Sequence, residues 1–211
     1  MENIKNTRTE HDLLGTRELP ADALYGIQTL RGIENFSISK FKLQDYPLFI
    51  HGLAYTKLAA AKANNALGLV SDEQLKSIEA ACKDILDGKY HDQFQVDMIQ
   101  GGAGTSTNMN ANEVIANIAL LHLGKKAGEY EFCSPHDTIN RSQSTNDAYP
   151  TAIHMGLYAS HLKFLPHLEA LIEALQKKGD EFAHIIKMGR TKQDEAVHNT
   201  LGQTFNGNAS I

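Results

Sequence analysis

Apolar residues recur at steps of three to four residues in several segments of the chain, which is the spacing of one face of an α-helix. The first segment begins at Pro47 and ends at Gly68, a residue type that commonly terminates helices. The second follows Ser71–Gln74, which has the order of a capping box, and ends at Gly88. The third follows a glycine-rich segment and ends at Gly124. We therefore predict three helices between Pro47 and Gly124.

A fourth helical pattern follows Pro150. If it is continuous to Met188, it forms a helix roughly 55–60 Å long at 1.5 Å per residue. Pro166 lies within the pattern and is expected to bend or locally break the helix. Little of the remaining sequence could cover the apolar face of so long a helix. We therefore expect an unfinished helical bundle, completed by sequence outside the chain or by other subunits.

The residues before Pro47 differ from the rest, since they are irregular, with short strand-like pieces and turn signals around Gly15, Pro20 and Gly32. Together these patterns predict a mainly α-helical fold. We expect a small mixed N-terminal domain at 1–142, followed by the first, incomplete part of a central bundle of long helices at 143–211.

The composition excludes several classes of protein. A net charge of -5 argues against a nucleic-acid surface, which would show clustered lysine and arginine. No apolar run approaches the roughly 20 residues that span a bilayer, and the N-terminus lacks the apolar core of a secretory signal. Cys82 and Cys133 are far apart in the sequence, and we interpret both as reduced thiols of a cytoplasmic protein.

The segment QSTNDAYP contains three small polar residues, Ser144, Thr145 and Asn146, just before Pro150. Proline is favoured at the first helical position, so we expect the polar residues to lie at or near a helix N-terminus. Free backbone N–H groups and the helix dipole favour an anion there. Such a place can hold a carboxylate without a buried lysine or arginine.

A second segment of similar composition, GGAGTST at Gly101–Thr107, also precedes a helical pattern. It lacks the lysine of a phosphate-binding P-loop and the third glycine of a dinucleotide fingerprint. A turn with purely structural glycines is one alternative, and an anion-binding turn with Thr105 as hydroxyl donor is the better one. Two anion sites built alike predict a small substrate with two carboxylates.

Other polar residues carry weaker signals. The four asparagines that follow the glycine-rich segment are expected to include helix caps and turn formers. The histidines near the end of the chain lack the spacing of a zinc motif, so no metal site is predicted. No nucleophile elbow is present, which makes a Ser/His/Asp triad a poor alternative. These residues are Asn108, Asn110, Asn112, Asn117, His154, His161 and His167.

Long motifs cover nearly the whole chain: LLGTRELPADALYGIQTLRGIENF (Leu13–Phe36), GGAGTSTNMNANEV (Gly101–Val114), QSTNDAYPT (Gln143–Thr151), KMGRT (Lys187–Thr191) and TLGQTF (Thr200–Phe205). On these motifs the chain resembles the aspartase/fumarase superfamily. Class II fumarases are similar, but they typically show Ser-Ser-Asn-Asp where this chain has Ser-Thr-Asn-Asp. The chain is thus more similar to the members that act on aspartate.

The resemblance implies deamination of L-aspartate to fumarate and ammonia, without a cofactor. It further implies a small dicarboxylate substrate and a homotetramer whose sites draw residues from three subunits. Thr105, Ser144, Thr145, Asn146 and Thr191 match substrate-binding residues of the family.

The chain also departs from the family pattern. The loop that carries the serine base in relatives is absent, so we expect the isolated chain not to turn over substrate. Lys192 stands where relatives have an amide or imidazole, which makes it a possible further site residue. Two alternatives stay open, a class II fumarate hydratase and a non-catalytic helical module that only assembles with partners.

Overall fold

The computed structural model describes residues 6–99 and 102–211. Two compact units can be distinguished, Met1–Tyr158 and Ala159–Ile211. The main elements are the strands β1 (Thr7–Asp12), β2 (Gly15–Pro20), β3 (Ile186–Thr191) and β4 (Asp194–Thr200), and the helices α1 (Ile27–Asn35), α2 (Pro47–Ala66), α3 (Asp72–Leu86), α4 (Thr105–His122), α5 (Thr145–Glu181) and α6 (Leu201–Ala209). The predicted mainly helical fold with small sheets is confirmed.

The first unit opens with an antiparallel hairpin of β1 and β2, followed by α1. Two buried carboxylates accept hydrogen bonds from the N–H groups at the start of α1, which have no partner within the helix. Glu10 accepts from the Ile27 N–H at 2.8 Å, and Glu113 accepts from the Gly26 N–H and from both the N–H and the hydroxyl of Thr29. Burial raises the pKa of Glu113 to about 7, while these donors favour its charged form. The helix start is thereby tied to α4.

Helices α2, α3 and α4 form the core of this unit. Pro47 occupies the first turn of α2, as predicted. The predicted capping box is also confirmed, because the Ser71 hydroxyl accepts from the Gln74 N–H at 3.2 Å and the Gln74 side chain accepts from the Ser71 N–H at 3.1 Å. Fully buried residues from each helix pack together, among them Leu53, Ile78, Cys82, Ile85, Val114, Ile115 and Ile118.

Helix α4 is buried at every residue from Thr107 to Leu120. Its asparagines lie within the helix and not at its ends. The expectation that they include helix caps and turn formers is therefore wrong. The Asn117 amide donates to the Leu24 carbonyl at 2.8 Å and accepts from the Gly128 N–H at 2.8 Å. Buried backbone groups of these loops need such partners, and a helix interior can supply them only through side chains.

The second unit contains the end of α5, the antiparallel hairpin of β3 and β4, and α6. A helix continuous to Met188 is therefore wrong, since α5 ends at Glu181 and β3 begins at Ile186. The sheet pairing uses the backbone groups that further helical turns would need. Pro166 does not interrupt α5, which is helical through it. In the part of the chain that the structure describes, no helix combines the length and apolarity needed to cross a membrane.

Candidate functional site

The polar residues of QSTNDAYP form the N-terminus of α5. The Ser144 hydroxyl accepts from the Asn146 N–H at 3.1 Å, and the Asp147 carboxylate accepts from the Ser144 N–H at 3.3 Å. This reciprocal pair caps the helix. The Thr145 hydroxyl accepts from the Asn108 side-chain amide at 3.2 Å. The predicted position of these residues at a helix N-terminus is confirmed.

The prediction that Pro150 is the first residue of this helix is wrong, however. The helix begins at Thr145, so Pro150 lies in its second turn and not at its first position. Its missing N–H leaves the carbonyl of Asn146 without the usual helical donor. The cap by Ser144 and Asp147, which is worth about 1 kcal/mol, sets the start of the helix instead.

The glycine-rich segment is described from Gly102 onward, and Gly101 lies outside the described residues. Gly102 and Gly104 have φ of 78° and 85°, in the left-handed region that favours glycine. Gly104 is the N-cap of α4, so the exposed Thr105 is its first residue. The predicted helix is confirmed, but it starts within this segment, at Thr105, and not after it.

The two segments meet at Gly104 and Tyr149, since the Tyr149 ring fills the space in which a β-carbon on Gly104 would lie. Beside this contact is an open cleft of about 530 Å³. It is lined by Asn146 and Gly102 to Gly104, together with the apolar residues Met98, Ile99, Tyr149, Pro150 and Ile153. The structure thus brings the start of α5 and the turn before α4 to one cleft. Of the predicted site residues, Asn146 lines it.

Thr191 and Lys192 belong to the second unit. Thr191 is the last residue of β3 and pairs with Asp194 of β4. Lys192 and Gln193 form the hairpin turn with φ of 49° and 67°, and both Thr191 and Lys192 are exposed. Asn or Gly more often occupies such a turn, since other residues rarely adopt positive φ.

A buried lysine that the sequence analysis did not single out lies next to the start of α5. The Lys57 ammonium donates to the side-chain oxygens of Asn108 at 2.7 Å, Asn140 at 3.0 Å and Gln143 at 3.0 Å. The residue has no exposed surface, and burial lowers its pKa to about 7. Its position in the sequence carried a signal, because Lys57 lies four residues after Leu53 on the apolar face of α2.

The turn before Ser144 is held by the same polar cluster. The Asn140 side-chain oxygen also accepts from Asn108 at 3.0 Å and from Asn112 at 3.1 Å, and its amide donates to the Gln143 carbonyl at 3.1 Å. Within the turn, Ser142 has a φ of 58°, a conformation that costs a non-glycine residue about 1 kcal/mol or more. Surrounding contacts must therefore maintain it.

The polar side chains that line the cleft are the Asn146 amide and the Tyr149 phenol, and donors of this kind suit a carboxylate. Burial raises the pKa of Cys82 and of Cys133 to about 12, which makes both thiols poor nucleophiles near neutral pH. Within residues 6–99 and 102–211, no group of three His, Cys, Asp or Glu side chains is placed to hold a metal ion.

Sequence and structure comparisons define the class of protein. A family model described as lyase matches residues 15–210 of the chain. The chain therefore belongs to the lyase family that contains the aspartases and fumarases.

Three proteins of known name are similar to almost the whole of this chain. An aspartate ammonia-lyase of Pseudomonas canavaninivorans is 54% identical over 97% of this chain and 43% of its own length. A crystal structure of fumarate lyase:delta crystallin from Brucella melitensis is 51% identical with a TM-score of 0.89, over 97% of this chain and 45% of that chain. A class II fumarase from Schistosoma mansoni is 32% identical with a TM-score of 0.81, over 97% of this chain and 43% of that chain. The chain spans less than half the length of these relatives.

Proposed function

We propose that this chain forms part of an aspartate ammonia-lyase, which converts L-aspartate to fumarate and ammonia. The observation that carries the proposal is the meeting of two helix starts, those of α4 and α5, at one cleft. Each start carries hydroxyl side chains at the positive end of a helix dipole, and the segments Gly101–Thr107 and Gln143–Pro150 contain no lysine or arginine. The similarity to aspartate ammonia-lyases supports aspartate as the substrate.

The chemistry needs donors that act on a carboxylate during the reaction. A base removes a proton from the carbon next to one carboxylate, and the electrons left behind spread onto its oxygens. The same electrons then form the carbon–carbon double bond as the carbon–nitrogen bond breaks, and the nitrogen leaves as ammonia with the bonding pair. Hydroxyl and backbone donors aimed at those oxygens stabilise this charge more than they stabilise the substrate.

The individual roles are part of the proposal. Thr105 and the trio of Ser144, Thr145 and Asn146 bind the carboxylates and the amino group, and Thr191 contributes a further hydroxyl. Lys192 is the sixth candidate. The active protein is a homotetramer without a cofactor, built from a lyase domain at 1–142 and a bundle that begins at 143. The proton is removed by a serine that this chain does not supply.

The test compares two proteins. One is the 211-residue chain by itself. The other, called the fused enzyme below, is this chain followed by the part of the Pseudomonas canavaninivorans enzyme beyond the region that the chain matches. With aspartate, the fused enzyme is expected to produce fumarate, seen by its ultraviolet absorbance, and the chain by itself is not. Sustained turnover by the chain alone would require a base among its own residues.

Hydration of fumarate to malate is the second candidate, favoured by the similarity to the Schistosoma mansoni fumarase. The two reactions are the addition of different nucleophiles to the same double bond. Supplying the fused enzyme with malate in place of aspartate separates them. Fumarate formed from malate but not from aspartate would replace the first proposal with the second.

A further inference from the structure

We infer that Lys57 is a positioning residue for carboxylate binding at the start of α5, and that its ammonium places a positive charge beneath this site. The inference rests on the proposed function, because it concerns how the same site holds its dicarboxylate. Lys57 lies behind the site and not in the cleft, so it acts through the side chains that it touches.

The geometry fits a protonated lysine. An ammonium group has three N–H bonds, and three amide oxygens lie within 3.0 Å of Lys57 Nζ. The orientation of the amides is fixed independently, because the Asn140 oxygen also accepts from the amides of Asn108 and Asn112. A neutral amine would place its lone pair against one of these oxygens. The cluster thus offsets part of the cost of burying the charged form, and the remaining cost lowers the pKa of Lys57 to about 7.

The charge of Lys57 is not neutralised within the described part of the chain. Its acceptors are amides, and no carboxylate of the described residues forms an ion pair with it. Amide oxygens satisfy the N–H bonds but leave the net charge in place. In a poorly hydrated interior such a charge acts over a longer distance than it would in water. At the adjacent helix start the Asp147 carboxylate accepts from the Ser144 N–H, and a substrate carboxylate bound there would be a further counter-charge to Lys57.

The contacts of Lys57 lead directly to the residues that we propose to bind substrate. Through Gln143 and Asn140 it holds the turn that ends at Ser144. Through Asn108 it reaches the Thr145 hydroxyl, to which the Asn108 amide donates at 3.2 Å. The positive φ of Ser142 shows that this turn needs to be held.

A purely structural role would give different kinetics. Loss of structure alone lowers the amount of folded enzyme, which reduces kcat per mole of protein but leaves the KM of the folded fraction unchanged. Misplacement of a carboxylate-binding turn, or loss of its positive charge, weakens the binding of every dicarboxylate. It therefore raises the KM for aspartate and the inhibition constant of an unreactive dicarboxylate, such as succinate, in the same proportion.

The first experiment measures both constants in the fused enzyme for Lys57→Met and for Lys62→Met. Lys62 is the matched control, since it lies on the same helix but is exposed and pairs with Glu79 at 3.2 Å. We expect Lys57→Met to raise KM and the succinate inhibition constant about tenfold each, which corresponds to about 1.4 kcal/mol. Lys62→Met should leave both unchanged. Equal constants for the two variants would overturn the inference while the proposed function stands.

A second experiment does not depend on activity. Amide hydrogen exchange in the 211-residue chain is compared between wild type and Lys57→Met, with the hairpin of β1 and β2 as the reference for global unfolding. In Lys57→Met we expect the exchange rate of residues 140–146 to increase over wild type by more than the exchange rate of the hairpin does. If the turn exchanges at the wild-type rate, Lys57 does not hold it and the inference fails, whether or not the fused enzyme acts on aspartate.

A milder variant covers the case in which Lys57→Met does not fold. Asn108→Ala keeps two of the three acceptors of Lys57 but removes its link to Thr145. We expect this variant to show faster exchange at 140–146 and a succinate inhibition constant raised severalfold. Unchanged values of both would overturn the inference. An inactive wild-type fused enzyme would instead count against the proposed function, and the exchange data would still decide the role of Lys57.

Discussion

The main-chain carbonyl of Ala152 in α5 lies against Gly52 in α2, in the space that a β-carbon on Gly52 would fill. One turn further along α5, Gly156 also lies close to α2, since a β-carbon there would be 3.0 Å from the Phe49 Cα. The two glycines allow the backbones of these helices to approach closely. The start of α5, with its polar residues, is therefore seated on α2, the helix that also carries Lys57.

This contact reverses the usual effect of a glycine-to-alanine change in a helix. Such a change in an open helix interior stabilises a protein by about 0.5–1 kcal/mol. We expect Gly52→Ala to destabilise the chain by about 1–3 kcal/mol, because its methyl group must displace backbone and not a flexible side chain. Urea denaturation followed by circular dichroism measures the change.

The control for this prediction is Gly207→Ala in α6, where the added methyl group meets no atom within 4 Å. This variant should be at least as stable as wild type. A Gly52→Ala chain as stable as Gly207→Ala would mean that α2 and α5 can separate without cost.

The features that sequence analysis predicted correctly are mainly local. Pro47 at the start of α2 and the box of Ser71 and Gln74 at the start of α3 depend on residues within one turn of the helix. The start of α5 also had a local determinant in Ser144 and Asp147, but Pro150 offered a competing one. From the sequence alone, these two possible helix starts cannot be ranked without knowing what the helix packs against.

The features that were missed depend on contacts distant in the sequence. Lys57 is unremarkable until residues from α4 and from the turn before α5 surround it. The predicted helix extends to Met188 and so includes the first residues of β3, because the apolar spacing of Phe182 and Ile186 also fits a helical face. In the structure, the Phe182 ring instead packs on Phe205 of α6, with centroids 5.7 Å apart.

The turn before α4 offers a second pair of glycine variants. Gly102→Ala meets open space, so its cost should be that of a positive φ alone, about 1–2 kcal/mol. Gly104→Ala adds a clash with the Tyr149 ring and should cost about 1–3 kcal/mol more. Thermal denaturation of both variants separates the two effects. Because the ring lines the cleft, Gly104→Ala should also raise the KM of the fused enzyme, whereas equal effects of the two variants on KM would contradict this.

Two serines cap helices in the same way, but the proposed function assigns substrate to one of them. Ser144→Ala and Ser71→Ala should each cost about 1 kcal/mol of stability, the value of an N-cap. In the fused enzyme, Ser144→Ala should also lower kcat/KM about 10- to 100-fold, because a hydrogen bond to a charged carboxylate contributes about 1.5–3 kcal/mol. Steady-state kinetics with aspartate measure this loss. Equal kcat/KM for the two variants would remove Ser144 from the site.

Glu113 is expected to be essential for stability although it lies outside the cleft. At pH 8 its carboxylate accepts the donors at the start of α1, whereas the amide of Glu113→Gln would direct N–H bonds at other N–H groups. Leaving buried donors unpaired costs about 1–3 kcal/mol, so we expect a loss of that order in the free energy of unfolding. Glu79→Gln, which removes an exposed ion pair with Lys62, should cost less than about 1 kcal/mol. Urea denaturation of both variants provides the comparison.

The pH dependence of stability tests the environment of Lys57 separately from any activity. Burial lowers its pKa from 10.5 to about 7, so between these two values the unfolded chain binds more protons than the folded chain. The free energy of unfolding that Lys57 contributes should therefore rise with pH across this window, by up to about 1.4 kcal/mol per pH unit.

Lys57→Met lacks this titration, so the difference in unfolding free energy between wild type and variant isolates it from all other groups. The urea midpoint of wild type should therefore rise relative to that of Lys57→Met as the pH is raised from 7 to 8 and 9. A difference that is constant with pH would mean that the three amide oxygens offset the whole cost of burial. In that case Lys57 keeps an ordinary pKa, and its charge would be fully present at the start of α5 throughout the physiological range.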